Sequence, residues 1–124
     1  MPGTGTSTTD GVRTVLVVDD DPQILRLLES MLKPRHVNTL VTPLASEALR
    51  IAGSDPVHLL ISDVTMPEMD GRKLAERFLK LHPEASVLLI SGQTPPIAKD
   101  ARIHFLRKPF FPSQLMEQLR ELLP

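Results

Sequence analysis

Short apolar runs alternate with longer amphipathic segments along this chain. Runs rich in Val, Ile and Leu have the length and continuity of strands covered on both faces. They lie at 15–18, 37–41, 57–62, 86–91 and 103–106. Between them, apolar residues recur at helical spacing. The first such segment places on one face Ile24, Leu25, Leu28, Met31 and Leu32. Strands that alternate with helices predict a parallel sheet with helices on both faces and right-handed crossovers.

Local signals mark the ends of several predicted helices. Asp21 followed by Pro22 is typical of a helix start, with an acidic N-cap before a proline at the first helical position. Pro83 follows the third helical segment and helps to end it. The segment 92–102 contains Pro95 and Pro96, which cannot lie inside a helix, so we expect at most a short helix there.

Composition narrows the class of protein. A chain of 124 residues suits one domain, and we expect a leader rich in Gly, Ser and Thr at 1–12 before a domain at 13–124. The absence of cysteine excludes disulfides and thiolate metal sites, which fits a cytoplasmic location. A formal net charge of -1 gives no support for binding to nucleic acid or a membrane surface. Every apolar run is shorter than the roughly 20 residues of a membrane span.

Polar side chains gather where the predicted strands end. Asp19 and Asp20 follow the first strand, Asp63 follows the third, Ser91 ends the fourth and Lys108 follows the fifth. Ligands of doubly wound sheets bind beyond these carboxyl ends. If strands one and three are neighbours, the three acids converge and repel each other, by about 4 kcal/mol for a pair 4 Å apart at an effective dielectric of 20. A hard divalent cation such as Mg²⁺ would offset that repulsion.

Four motifs carry a family resemblance. In order, "VLVVDDDP", "ISDVTMPEMDG", "LLISG" and "FLRKPF" resemble the signatures of the receiver domain of two-component response regulators, and the likeness extends over 13–123. It implies a flavodoxin-like α/β fold, a doubly wound five-stranded parallel sheet in the order 2-1-3-4-5. The gap between Ser91 and Phe105 is shorter than in typical members, so we expect a shortened or irregular fourth helix between strands four and five.

The resemblance also implies roles for individual residues. Asp63 is the implied phosphoacceptor, Ser91 and Lys108 the implied catalytic partners, and Ser91 with Phe105 the implied switch. The implied Mg²⁺ ligands are Asp19 acting mainly through water, Asp20 directly, Asp63, and the backbone carbonyl of Thr65. A cis peptide bond before Pro109 is a further expectation from the family.

The implied function is that of a signalling module rather than an enzyme. It would accept a phosphoryl group from a sensor histidine kinase or a histidine phosphotransfer protein and assist its own phosphorylation and dephosphorylation. Modification would change the surface at 91–111 for an unknown downstream protein. We expect a monomer or weak dimer. The short gap and the leader also resemble receivers attached to hybrid sensor histidine kinases.

Two other functions stay open on the residues alone. A magnesium-dependent phosphatase can also use an aspartate nucleophile, but such enzymes usually need a second acid two residues later, where this chain has Thr65. A receiver that acts as a scaffold without phosphorylation is the other possibility. Taken singly, Asp19 and Asp20 could be helix-capping acids and Ser91 a turn residue.

Overall fold

The apolar runs form one parallel sheet that is buried on both faces. The computed structural model describes residues 12–93 and 100–123. Its strands are β1 (Thr14–Val18), β2 (Asn38–Thr42), β3 (Leu59–Asp63), β4 (Ser86–Ser91) and β5 (Ile103–Arg107). All neighbouring strands are parallel, in the order β2-β1-β3-β4-β5. The predicted fold and strand order are therefore confirmed.

Helices cover both faces of this sheet. Among the described residues they are α1 (Pro22–Leu32), α2 (Ala45–Ser54), α3 (Gly71–Leu81) and α4 (Pro112–Leu122), with a 3-10 turn at Lys33–Arg35. The shortened or irregular helix was predicted within 92–102; residues 94–99 lie outside the described residues, and 92–93 and 100–102 are not helical. Residues 1–11 of the predicted leader also lie outside the described residues. No described helix combines the length and apolar character needed to cross a membrane.

Successive side chains of each strand point to opposite faces of the sheet, so the interior is divided into two cores. On β1, Val15 and Val17 join the core beneath α1 and α4, whereas Leu16 and Val18 join the core beneath α2 and α3. All four side chains are fully buried. On α1, Leu28 and Leu32 are buried in the first core. Side chains of α1 that are partly buried against it are Ile24, Leu25 and Met31, as the helical spacing predicts.

Acidic caps begin two of the helices. The Asp21 carboxylate accepts a hydrogen bond from the Gln23 amide at 2.9 Å, and Pro22 is the first residue of α1. The Asp70 carboxylate accepts from the Arg72 amide at 2.7 Å at the start of α3. Each cap satisfies an amide that has no partner inside its helix. The predicted role of Asp21 as a helix cap is confirmed.

Arg35 joins the end of α1 to the end of α4. Its Nη2 donates hydrogen bonds to the carbonyls of Leu119 and Leu123, both at 3.2 Å. These carbonyls belong to the last turn of α4 and its C-cap, where a positive charge is favourable.

We expect Arg35→Met to lower the free energy of unfolding by about 1–3 kcal/mol, because two charge-assisted hydrogen bonds are lost while the aliphatic stem is kept. Urea unfolding followed by circular dichroism measures the change. Arg77→Met, at an exposed position of α3, is the control and should change stability by less than about 0.5 kcal/mol. Equal effects of the two substitutions would contradict the proposed contribution of Arg35 to stability through its hydrogen bonds with α4.

Candidate functional site

Three carboxylates meet at the carboxyl edge of the sheet. β1 pairs directly with β3, and the register places Val18 opposite Ser62, one residue before Asp19 and Asp63 respectively. One carboxylate oxygen from each of Asp19, Asp20 and Asp63 lies within 4.8 Å of the others. The strand order thus brings Asp63 to the adjacent pair Asp19 and Asp20, more than 40 residues earlier in the sequence.

Asp19 is the most buried of the three acids, with 1 % of its surface exposed. Its Oδ1 accepts a hydrogen bond from the Asp21 amide at 2.9 Å. Its Oδ2 is buried without a hydrogen-bond partner among the described residues. Burial, reinforced by the Asp63 and Asp20 carboxylates, raises the pKa of Asp19 to about 6, although the Asp21 amide and Lys108 favour the charged form. Asp19 is therefore a carboxylate whose negative charge is poorly compensated by the protein.

The raised pKa predicts that mild acidification makes Asp19 less destabilising in the metal-free protein. Because the folded-state pKa of Asp19, about 6, exceeds its ordinary value of 3.8, folding favours the protonated form. The stabilisation is fully present below pH 3.8 and is lost as pH rises through 6; the two pKa values differ by the equivalent of about 3 kcal/mol. With EDTA present, urea unfolding should give a larger free energy at pH 5 than at pH 7.

Asp19→Asn is the matching substitution, since it removes the charge and keeps an acceptor for the Asp21 amide. This variant should be more stable than the parent at pH 7. Its free energy of unfolding should also increase less than that of the parent between pH 7 and pH 5. A variant less stable than the parent at pH 7 would contradict the assignment of Asp19 as the destabilising group.

Asp63 is held by contacts on both carboxylate oxygens. Its Oδ1 accepts from the Thr65 amide at 3.1 Å, and its Oδ2 accepts from Lys108 Nζ at 3.0 Å. The residue is 9 % exposed. Lys108 follows β5 and reaches across β4 to Asp63, since β4 lies between β3 and β5. The Lys108 amide also donates to the Ser91 carbonyl at 2.7 Å, and the Lys108–Pro109 bond is cis, as the family resemblance implied.

Ser91 and Phe105 lie on the two strands between Asp63 and the edge of the sheet. Ser91 is buried at the end of β4, and its Oγ accepts from the Gln93 amide at 3.1 Å. Phe105, on β5, is half-buried and packs against the core beneath α2 and α3.

The loop between β3 and α3 is fastened close to Asp63. The Val64 amide donates to the Ile90 carbonyl at 2.9 Å, and the Gly71 amide donates to the Val64 carbonyl at 2.7 Å. A Cβ atom on Gly71 would lie 2.2 Å from the carbonyl oxygen of Asp63. Only glycine allows α3 to begin this close to the strand that carries Asp63. This close approach depends on the folded chain, so the sequence alone does not show that glycine is required at position 71.

The sequence analysis gave Glu68 no specific role, and the structure gives it one. Glu68 Oε1 accepts from the Ser46 amide at 3.2 Å, and Oε2 accepts from the Ser46 hydroxyl at 2.9 Å. The N-cap of α2 is Leu44, which makes no side-chain capping bond. That apolar cap was the available signal that the start of α2 takes an acceptor from elsewhere in the chain.

The side chains fit a hard divalent cation. Three carboxylates provide only oxygen ligands, and within 12–93 and 100–123 the buried Oδ2 of Asp19 has no hydrogen-bond partner. A cation of this kind prefers such oxygens and would compensate the charge of Asp19, Asp20 and Asp63. Thr65, the fourth predicted ligand, is exposed in the adjoining loop and is expected to contribute a backbone carbonyl.

The structure combines a doubly wound parallel sheet in the order β2-β1-β3-β4-β5 with three acids and a lysine at its carboxyl edge. The sequence matches the family described as response regulator receiver domain over residues 15–120. The chain therefore belongs to the receiver domains of two-component systems, as the four motifs indicated. Receiver domains are signalling modules and are in general not enzymes in the usual sense.

Relatives of known sequence agree with this assignment. The chain is 43 % identical over 88 residues to the two-component response regulator ARR11 of Arabidopsis thaliana, covering 68 % of this chain and 17 % of that relative. It is 32 % identical over 120 residues to the sensor kinase CckA of Brucella abortus (strain 2308), covering 91 % of this chain and 13 % of that relative. The chain thus spans less than a fifth of either relative.

Solved structures show the same fold. The signal receiver domain of an HD domain-containing protein from Pseudomonas fluorescens Pf-5 superposes with a TM-score of 0.81 at 28 % identity, covering 90 % of this chain and 94 % of that chain. The receiver domain of the hybrid histidine kinase CckA gives a TM-score of 0.78 at 30 % identity, covering 90 % and 99 %.

Proposed function

We propose that the chain takes a phosphoryl group from a phosphohistidine onto Asp63 in a two-component phosphorelay, with Mg²⁺ as cofactor. The observation that carries this proposal is the cluster of three carboxylates within 4.8 Å of one another, with Lys108 Nζ 3.0 Å from Asp63 Oδ2. The proposed Mg²⁺ ligands are Asp20 directly, Asp19 mainly through water, Asp63 and the Thr65 carbonyl.

The chemistry requires a carboxylate nucleophile and charge neutralisation. A carboxylate oxygen of Asp63 attacks phosphorus, the phosphorus–nitrogen bond of the phosphohistidine breaks, and the imidazole leaves with the electron pair. The product is an acyl phosphate on Asp63. When bound, Mg²⁺ supplies positive charge to the phosphoryl oxygens. Lys108 neutralises further charge, because its ammonium group is already in contact with Asp63.

Ser91 and Phe105 are proposed to convert phosphorylation into a change of surface. The Ser91 oxygen accepts the Gln93 amide, so the hydroxyl proton is available to a phosphoryl oxygen. Movement of Ser91 toward that oxygen would open space into which Phe105 turns, changing the surface at 91–111. Phe105 has no hydroxyl, so packing alone holds either position.

Among the relatives are a sensor kinase and a receiver from a hybrid histidine kinase. These names favour a sensor histidine kinase or a histidine phosphotransfer protein as the phosphoryl donor and an origin beside a hybrid kinase. We propose a cytoplasmic location and a monomer or weak dimer, with an unknown downstream protein that contacts 91–111. The phosphatase alternative is less well supported, because Thr65 stands where its second acid is needed.

Incubation with acetyl phosphate tests whether the chain accepts a phosphoryl group with Mg²⁺, the step on which the proposed function depends. Intact-mass spectrometry should detect one added phosphoryl group per chain in the presence of Mg²⁺ and none in the presence of EDTA. Hydroxylamine should remove the group, as expected for an acyl phosphate. Labelling that persists in EDTA, or sustained turnover of phosphate esters, would contradict the proposal. Beryllofluoride with Mg²⁺ should shift resonances of 91–111, and shifts confined to the metal ligands would contradict the switch.

A further inference from the structure

We infer that Glu68 is a positioning residue for the proposed metal and phosphoryl site. The inference rests on the proposed function and extends it to a side chain that takes no part in the chemistry. Glu68 lies in the β3–α3 loop, three residues beyond Thr65 and five beyond Asp63. Its carboxylate is bound to the first turn of α2 by both oxygens, through the amide and the hydroxyl of Ser46.

The two ends of this loop are fixed near Asp63 by backbone contacts. At the start, the Thr65 amide binds Asp63 Oδ1 and the Val64 amide binds the Ile90 carbonyl. At the end, the Gly71 amide binds the Val64 carbonyl. The middle of the loop carries Pro67 and Glu68, both exposed. Glu68 provides a contact from this middle portion to a neighbouring secondary-structure element.

Apolar packing in the loop does not replace this contact. Met66 and Met69 are partly buried against the core beneath α2 and α3, and Met66 Sδ accepts from the Ser62 hydroxyl at 3.8 Å. Methionine side chains adapt to many arrangements and specify position poorly. A charged carboxylate bound by two directed hydrogen bonds defines position more closely.

The α2 end of the contact is itself tied to the rim of the sheet. The Leu44 amide donates to the hydroxyl of Thr42, the last residue of β2, at 3.2 Å. The Thr42 carbonyl in turn accepts from the Asp19 amide at 3.3 Å. A continuous set of contacts therefore runs from the backbone of Asp19 through the start of α2 and Glu68 to the loop that carries Thr65. Through these contacts, Glu68 holds the loop that provides the Thr65 carbonyl close to the strand end that provides the Asp19 carboxylate.

The structure offers a matched control in the same turn of α2. Glu47 is adjacent to Ser46 and is the acidic residue of the first turn, where it pairs with Arg50. Glu47→Ala and Glu68→Ala each remove one carboxylate from the start of α2. Only the second breaks a contact with the β3–α3 loop. Glu68→Gln removes the charge and keeps one oxygen acceptor for Ser46.

The test compares these variants by amide hydrogen exchange without metal, by Mg²⁺ titration and by labelling with acetyl phosphate. In Glu68→Ala we expect faster exchange at 64–70 and Mg²⁺ binding weakened about tenfold, the low end for loss of a residue that supports metal ligands. Labelling at subsaturating Mg²⁺ should slow in proportion and recover at high Mg²⁺. Glu68→Gln should lie between Glu68→Ala and the parent. Glu47→Ala should match the parent in all three measurements.

The outcomes separate this inference from the proposed function. If the parent protein is labelled at Asp63 but Glu68→Ala leaves loop exchange and Mg²⁺ affinity unchanged, the inference is wrong and the proposed function stands. Equal effects of Glu47→Ala and Glu68→Ala would also overturn it, because a general loss of α2 stability would then explain both. If the parent takes no phosphoryl group, the proposed function fails, and with it the role of Glu68 at a phosphoryl site.

Discussion

Asp63→Asn is expected to abolish labelling by acetyl phosphate, with a rate roughly a hundredfold or more below that of the parent protein. A carboxamide oxygen is a far weaker nucleophile than a carboxylate toward phosphorus. The substitution is nearly isosteric, but the carboxamide has a single acceptor oxygen, so only one of the contacts with the Thr65 amide and Lys108 can persist. Intact-mass spectrometry after incubation with acetyl phosphate and Mg²⁺ gives the measurement.

The control for this experiment is a carboxylate outside the cluster. Asp70→Asn changes the cap of α3 to another good capping residue and leaves the three acids of the cluster in place. Its labelling should remain within about twofold of the parent. An Asp63→Asn protein that is labelled at the parental rate would place the phosphoryl group on another residue. Peptide mapping after hydroxylamine treatment would then locate it.

Gly71→Ala is expected to lower the free energy of unfolding by about 3 kcal/mol, the cost of forcing a group into space that is already filled. The new methyl group would lie 2.2 Å from the Asp63 carbonyl oxygen and 2.9 Å from the Val64 Cα. Both are backbone atoms, so no side-chain rotation can relieve the overlap. The backbone beside Asp63 has to move, and a displacement of 1 Å at a reacting group can reduce a rate by about a hundredfold.

Gly53→Ala is the matched control for this substitution. Gly53 lies in α2, and a Cβ built on it meets no atom within 4 Å. Because alanine is the better helix former, this variant should be more stable than the parent by about 0.5–1 kcal/mol and should be labelled normally. Urea unfolding and the acetyl phosphate assay compare the two variants. A Gly71→Ala protein with parental stability and rate would show that the close approach of α3 is not required.

The fold was predictable because the apolar pattern and the long-range packing agree. Continuous apolar runs became buried parallel strands, and the amphipathic segments became helices. No strand limit differs from its predicted position by more than two residues. The largest shift is in the third strand, which was predicted at 57–62 and begins at Leu59. There His58 Nδ1 accepts the Thr14 amide at 2.9 Å, so a side chain takes the donor that a longer strand would have bound.

The candidate site was only partly predictable. Strand ends identified Asp19, Asp63 and Lys108 as polar residues at one edge, but strand order decides whether they meet. That order came from the family resemblance and not from periodicity. The contacts of Arg35 with α4 and of Glu68 with α2 join segments that are distant in sequence. The apolar cap Leu44 indicates only that the start of α2 takes an acceptor from elsewhere, and no local pattern identifies the partner in either contact. The same reason applies to Gly71, because glycine is required there by the close approach of β3 in the folded chain.

The attachment of Lys108 has a consequence for partial unfolding of the domain. β5 is an edge strand of the sheet, and edge strands open more readily than central strands. The ammonium group that contacts Asp63 belongs to Lys108, which follows β5, and β5 lies two strands away from β3, the strand that carries Asp63. Transient fraying of β5 would therefore remove the counter-charge while leaving β1 and β3 paired. In the proposed mechanism, the fraction of molecules competent for phosphoryl transfer then depends on this local opening as well as on global stability.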